Sequence, residues 1–360
     1  MENILEIADF KLNIGDFSID IPHFGVKTGE TMAIIGPNGA GKTTLMHTLA
    51  LLKKPNSGTI FYKGTAVSGN LVEARRKIAL VSSEPCLLNM SVYNNVAAGL
   101  KIRNLPSNEI DSRVNRWMRH FSINGLSGKS ARQLSAGEAH KTALARALAL
   151  QPEVLFLDEP FSSLDPSAKE NITANLQNVL SVTGKRTIII TTHNLNEVVM
   201  LADRITFMDK GRVIQTGTVE EVFGTPANET VARFTGMETL LHGTVRRSEG
   251  GTAGIDVLGK VISASTDAKA GENVLVAIRP ENVFITDVEE GAKTSVLNHY
   301  SCVIRDIVQL GNFYKLSLDC GFPLSCFITK QSIDSLGIQK GKAMYASFKA
   351  TSVKVIKRPG

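Results

Sequence analysis

Nine residues constrain this chain more than any others: Gly36-Pro37-Asn38-Gly39-Ala40-Gly41-Lys42-Thr43-Thr44. They follow the apolar run Thr31-Met32-Ala33-Ile34-Ile35 and open a stretch with helical patterning. Glycines let the backbone wrap closely around phosphate oxygens, and the helix start behind them presents free N–H groups. Lys42 adds a point charge toward the β- and γ-phosphates, and the Thr43 hydroxyl can ligand Mg²⁺. A phosphate loop set between a buried strand and a helix belongs to an α/β sheet with helices on its faces.

The rest of residues 1–235 agrees. Val154–Leu157 and Thr187–Ile190 have the length and branching of buried parallel strands, and residues 136–150 form an Ala- and Leu-rich helical stretch. After Gly236 the texture changes to short Val/Ile-rich runs around 241–245, 274–278, 303–308 and 314–318, separated by Gly, Asp and Asn. That pattern predicts a small all-β barrel domain over 236–360, divided into subunits 236–290 and 291–360. The inner break falls near Val288 to Lys293, and Ser248-Glu249-Gly250-Gly251-Thr252 reads as an exposed turn.

A length of 360 residues accommodates two such domains. No apolar run reaches the roughly 18 residues of a membrane span, and the start MENILEIADF lacks a secretory pattern. The expectation is a cytosolic chain that meets a membrane only through a partner. Net charge is +6, but the basic residues are scattered, which argues against a nucleic-acid partner. The four cysteines show no CxxC spacing, so neither a metal site nor a disulfide framework is expected.

A second chemical element is Val154-Leu155-Phe156-Leu157-Asp158-Glu159, an apolar strand delivering two acids at its carboxyl edge, where α/β sheets place ligands. Asp158 suits a Mg²⁺ shell and Glu159 the polarisation of an attacking water. Three further segments carry related chemistry: Leu134-Ser135-Ala136-Gly137-Glu138, Ser162-Ser163-Leu164-Asp165 and Thr192-His193. With the phosphate loop and the acidic strand, in this order, the set resembles the ATPase domain of the ABC-transporter family over about the first 235 residues. The resemblance implies an ATP-hydrolysing P-loop domain acting as a head-to-tail homodimer. In it the Ser135–Gly137 signature of one copy faces the γ-phosphate held by the other. His193 is then the switch histidine, and Asp165 couples the two sites across the dimer.

The chain departs from that family's pattern in places. Ser83 stands where the Q-loop glutamine is expected, Ala136 where the signature has Gly, and Glu138 where it has Gln. For the adenine-stacking aromatic, Phe10 and Phe17 are the candidates, with Ile14 at the position where the ring is expected.

A separate ATPase domain with a β-rich extension resembles the ATP-binding subunits of prokaryotic importers fed by a periplasmic or extracellular substrate-binding protein. Ala277-Ile278-Arg279-Pro280-Glu281-Asn282-Val283 resembles an element of their regulatory (TOBE) barrels. Thr294-Ser295-Val296-Leu297-Asn298 and Phe348-Lys349-Ala350-Thr351-Ser352-Val353 resemble the two ends of a molybdate-binding, Mop-like, OB-like barrel. This implies uptake of molybdate or tungstate, transmembrane permease subunits as partners at the cytoplasmic face of the membrane, and a regulatory oxyanion held by Ser295 and Lys349. Importers of sulfate, ferric ion, polyamine or sugar carry similar barrels, and a nucleotide-dependent regulator with little turnover is the alternative of a different class.

Overall fold

The computed structural model describes residues 2–69, 71–162, 164–165, 169, 172–174, 176–177, 186–288 and 295–357. The chain divides into two compact units, 1–219 and 220–360. Ser163 and the stretch 289–294, where the inner boundary of the β region was expected, lie outside the described residues.

The first unit is built on a six-stranded sheet in the order Arg212–Thr218, Arg204–Asp209, Thr31–Ile35, Thr187–Thr191, Val154–Asp158, Ile78–Val81. All neighbours are parallel except the antiparallel outer pair of Arg212–Thr218 with Arg204–Asp209. Thr31–Ile35, Val154–Asp158 and Thr187–Thr191 are buried at every position, as expected of central strands covered on both faces. A second, antiparallel sheet runs in the order Phe17–Lys27, Asn3–Ile14, Ser57–Tyr62, Thr65–Ala66. Ile7, Phe10, Ile19 and Ile21 from this sheet share one apolar core with Met32, Ile34, Phe156 and the helix residues Leu45, Met46 and Leu49. That core clamps the helix Lys42–Leu49 and so fixes the direction of the loop before it. Helices Val92–Ile102, Ser107–His120 and Ala136–Ala149 pack together beside the sheet, with Trp117 and Phe121 buried among them.

The second unit is all-β at its core, with two curled five-stranded antiparallel sheets. One is ordered Lys260–Ser265, Thr252–Val257, Thr239–Glu249, Asn273–Ile278, Val353–Lys357; the other Phe284–Thr286, Ala343–Phe348, Asn298–Leu310, Phe313–Asp319, Pro323–Thr329. The turn expected at 248–252 falls between two paired strands, with Gly250 and Gly251 at positive φ. The two sequence halves interlock: Phe284–Thr286 completes the sheet of the later half, and Val353–Lys357 completes that of the earlier half. One continuous core runs through both sheets, from Val245, Ile255 and Val276 to Ile304, Leu316 and Phe348. Asn298 stitches them with a main-chain-like pair of bonds: its Oδ1 accepts from Ser263 N–H (2.8 Å) and its Nδ2 donates to Ser263 C=O (2.8 Å).

Candidate functional site

Three parallel strands end side by side, and the residues just beyond their carboxyl ends build the site. Thr31–Ile35 leads into the loop 36–44, Val154–Asp158 into Glu159, and Thr187–Thr191 into Thr192 and His193. The loop turns through Gly39 (φ 79°) and Gly41 (φ 101°), the latter capping the helix Lys42–Leu49. A side chain at these angles would be strained, which is the local reason for glycine.

Lys42 is buried, and its Nζ donates to the carbonyls of Gly36 (2.9 Å) and Pro37 (3.0 Å), so the ammonium lies curled inside its own loop. Burial draws its pKa below the ordinary lysine value, against the opposing pull of the Glu159 and Asp158 carboxylates.

Asp158 is the hub of the polar network. Its Oδ1 accepts from the hydroxyls of Thr43 (3.0 Å) and Thr191 (2.6 Å), and its Oδ2 lies 3.8 Å from Nε2 of His47. Glu159 takes a left-handed backbone (φ 42°), rare for a residue with a side chain. Thr191 holds it there, accepting the Glu159 N–H with both its carbonyl (3.1 Å) and its hydroxyl (3.0 Å). Strain kept in place by such contacts is typical of functional positions. The Glu159 carboxylate lies 3.4 Å from Nδ1 of His193, whose ring is mostly exposed.

Asn38, Gly39, Gly41, Lys42, Thr43, Thr44 and Glu159 line one cleft of about 620 Å³ together with Ile14 and Phe17. Pro37 and Ala40 border a neighbouring hollow beside Asp209 and Lys210. The structure decides between the two aromatic candidates. Phe10 is fully buried in the core and has no face toward the cleft, so that candidate is withdrawn, whereas Phe17 and Ile14 face each other across the hairpin at its edge.

Ser135, Gly137 and Asp165 do not line this cleft. Ser135 caps the helix Ala136–Ala149 in a reciprocal box. Its hydroxyl accepts from Glu138 N–H (3.2 Å), and Glu138 accepts the Ser135 N–H (2.8 Å). The Ser135 N–H and then the Lys129 ammonium hold the Glu138 carboxyl below its ordinary pKa. That is the structural use of Glu at this position. Asp165 is exposed, and its carbonyl accepts from Lys169 N–H (3.0 Å).

Two residues here escaped the sequence reading. Thr191 positions both acids, and its only signal was a hydroxyl at the end of an apolar strand. His140 is buried on the signature helix, where an Ala/Leu-rich pattern hid it. In the second unit Ser295 is exposed, and Lys349 is exposed immediately before the turn Ala350–Ser352.

A family model described as "ABC transporter" matches residues 19–162. The molybdate/tungstate import ATP-binding protein WtpC of Pyrococcus abyssi is 33% identical over 98% of this chain and 100% of its own length. Its counterpart in Pyrococcus horikoshii is 34% identical over 98% of this chain and 99% of its own length. Among solved structures, cbiO1 of Clostridium perfringens, part of an ABC transporter complex, matches with a TM-score of 0.57 at 32% identity, covering 65% of this chain and 94% of that one.

Proposed function

Since the chain belongs to the ABC-transporter ATP-binding family, we propose that it is the ATP-hydrolysing subunit of an importer for molybdate or tungstate. The convergence of Lys42, Thr43, Asp158, Glu159 and His193 at one strand-end cleft carries the catalytic half of this reading. The full-length similarity to molybdate/tungstate import ATP-binding proteins carries the substrate half. Membership implies a second copy of the chain and transmembrane permease subunits as partners. Among the described residues no helix is long and apolar enough to cross a membrane. We take the chain to sit peripherally at the cytoplasmic face, with a substrate-binding protein on the other side of the permease.

The backbone N–H groups of residues 36–44 receive the phosphates, and Lys42 exchanges its two carbonyl partners for phosphate oxygens. Phe17 and Ile14 offer the apolar face for adenine. The hydroxyl of Thr43 and the carboxylate of Asp158, 3.0 Å apart, are hard oxygen donors of the kind Mg²⁺ accepts. Held there, Mg²⁺ would supply positive charge against the phosphates. Glu159 takes the proton of the attacking water, and His193 beside it orients toward the γ-phosphate. The Ser135 hydroxyl and the N–H groups near Gly137, at a helix start, close the site from the other copy, and Asp165 communicates between the two.

Steady-state ATP turnover of the full chain tests the first half. Glu159→Gln should lower kcat by about a hundredfold or more while ATP still binds; retained turnover removes Glu159 as the base. Calorimetric titration of the full chain with molybdate, tungstate, sulfate and phosphate tests regulation by the β region. Tight molybdate or tungstate binding that is lost in Lys349→Ala supports an oxyanion site at Ser295 and Lys349. Equal binding in that variant removes it.

A further inference from the structure

The segment after the strand Ile78–Val81 carries Ser83 where the family resemblance led us to expect a long glutamine side chain. Its position is set by other means. His140, only 1% exposed, sits on the helix Ala136–Ala149 with Nδ1 3.1 Å from the Ala136 carbonyl and Nε2 3.0 Å from the Ser83 carbonyl. Both partners are acceptors. A neutral imidazole has one N–H and serves one of them at a time.

Two more side chains hold the same segment by its main chain. Arg146, further along the same helix, donates from Nη1 to the Cys86 carbonyl (2.9 Å). Fully buried Asn95 accepts from Leu88 N–H (2.8 Å), and its two amide N–H groups are shared among the carbonyls of Leu88 (3.0 Å), Met90 (3.3 Å) and Ser91 (3.2 Å). Main-chain anchoring of this kind does not depend on the segment's own side chains.

We infer that His140 is a positioning residue that fixes the start of the Ala136–Ala149 helix to the Ser83 segment, so that the signature and this segment move as one piece. The inference rests on the function proposed above, because its catalytic consequence is felt where Ser135 and Gly137 meet nucleotide held by the second copy. The geometry favours this role over simple core filling. A packing residue would not need two polar atoms, and the two ring nitrogens lie within hydrogen-bond distance of carbonyls in separate elements, one on the helix itself and one on the Ser83 segment. The same bond joins a helix start used for phosphate to the stretch leading into Val92–Ile102, so motion at one is transmitted to the other. The Lys42 loop is no part of this network, so nucleotide affinity at the P-loop is predicted to be insensitive to it.

The test compares His140→Leu, which keeps bulk and loses the ring's hydrogen-bonding nitrogens, with His140→Gln, whose amide keeps an N–H donor for the Ser83 carbonyl. Leaving a partly buried carbonyl without its partner is a loss of the order that gives about a tenfold change in rate. The expected result is a roughly tenfold lower kcat for ATP in His140→Leu with KM within a factor of about two, and recovery of most of that loss in His140→Gln. Amide exchange measured on the same full-length proteins should be faster over residues 83–91 in the Leu variant alone. Wild-type kcat in His140→Leu, or exchange over 83–91 unchanged from wild type, overturns the inference. A loss shared equally by both variants, with KM raised, overturns it in favour of general damage. If the wild-type chain shows no turnover, the proposed function fails, and the exchange comparison still decides whether the tie exists.

Discussion

Replacing Gly36 by alanine should damage the first unit more than the same change three residues on, at Gly39. At Gly36 the backbone has φ 145°, and an added Cβ would meet the Met208 carbonyl oxygen at 2.0 Å, where real Cβ contacts essentially never fall under 3.0 Å. The end of Thr31–Ile35 must therefore part from Arg204–Asp209 by about 1 Å, and a neighbour made of backbone has little room to give. At Gly39 φ is 79° but nothing lies within 4 Å, so only the conformational term remains. Left-handed backbone costs an alanine about 1–2 kcal/mol. Forced overpacking adds about 1–3 kcal/mol. Gly36→Ala is thus expected to lose about 2–5 kcal/mol and Gly39→Ala about 1–2 kcal/mol. In a unit of this size that is roughly 10 °C against 4 °C in Tm. The assay is thermal unfolding of the full chain by circular dichroism, tracking the transition that moves upward with added ADP. Equal shifts for the two variants, or a larger one for Gly39→Ala, would refute the reasoning from the Met208 contact.

Three further outcomes are expected. Burial would raise the Glu153 pKa, but bonds from Lys63, Tyr62 and Lys77 outweigh it and bring the folded value from 4.5 to about 2. The acid therefore adds stability above pH 4.5 that is lost as pH falls toward 2, about 1–2 kcal/mol after screening of its exposed lysine partners; Glu153→Gln should flatten stability against pH over that window. Asn298→Ala strands the Ser263 N–H and C=O between the two β sheets and should cost about 2–4 kcal/mol in the unfolding of the second unit, with no change in P-loop nucleotide affinity. Phe17→Ser should raise the Kd for ATP about tenfold through lost base stacking, whereas Phe10→Leu, confined to the core, should leave that Kd unchanged when both are measured by fluorescent-nucleotide displacement.

Much of the site was legible because its chemistry lies in consecutive residues. The spacing from Gly36 to Thr44 specifies a loop geometry, since only glycine takes positive φ without cost and only a helix start offers several free N–H groups together. The pair Asp158 and Glu159 was equally readable, because ligands of an α/β sheet bind at the carboxyl ends of its parallel strands. Thr191 was not readable in its role. Its hydroxyl reaches Asp158 because Val154–Asp158 and Thr187–Thr191 lie in register, and that pairing joins residues 33 apart.

The sequence by itself determined the alternation of strands and helices, the phosphate loop and the change to β texture after residue 236, because each is set by local periodicity and local backbone demands. Tertiary structure alone decided which aromatic faces the cleft, since Phe10 and Phe17 differ in burial and hardly in local pattern. It also decided that each β half lends a strand to the other, as a short alternating strand carries no label for its partner. And it decided that a histidine on an Ala-rich helix would hold Ser83, because a hydrogen bond between distant residues exists only once packing has brought donor and acceptor within about 3 Å.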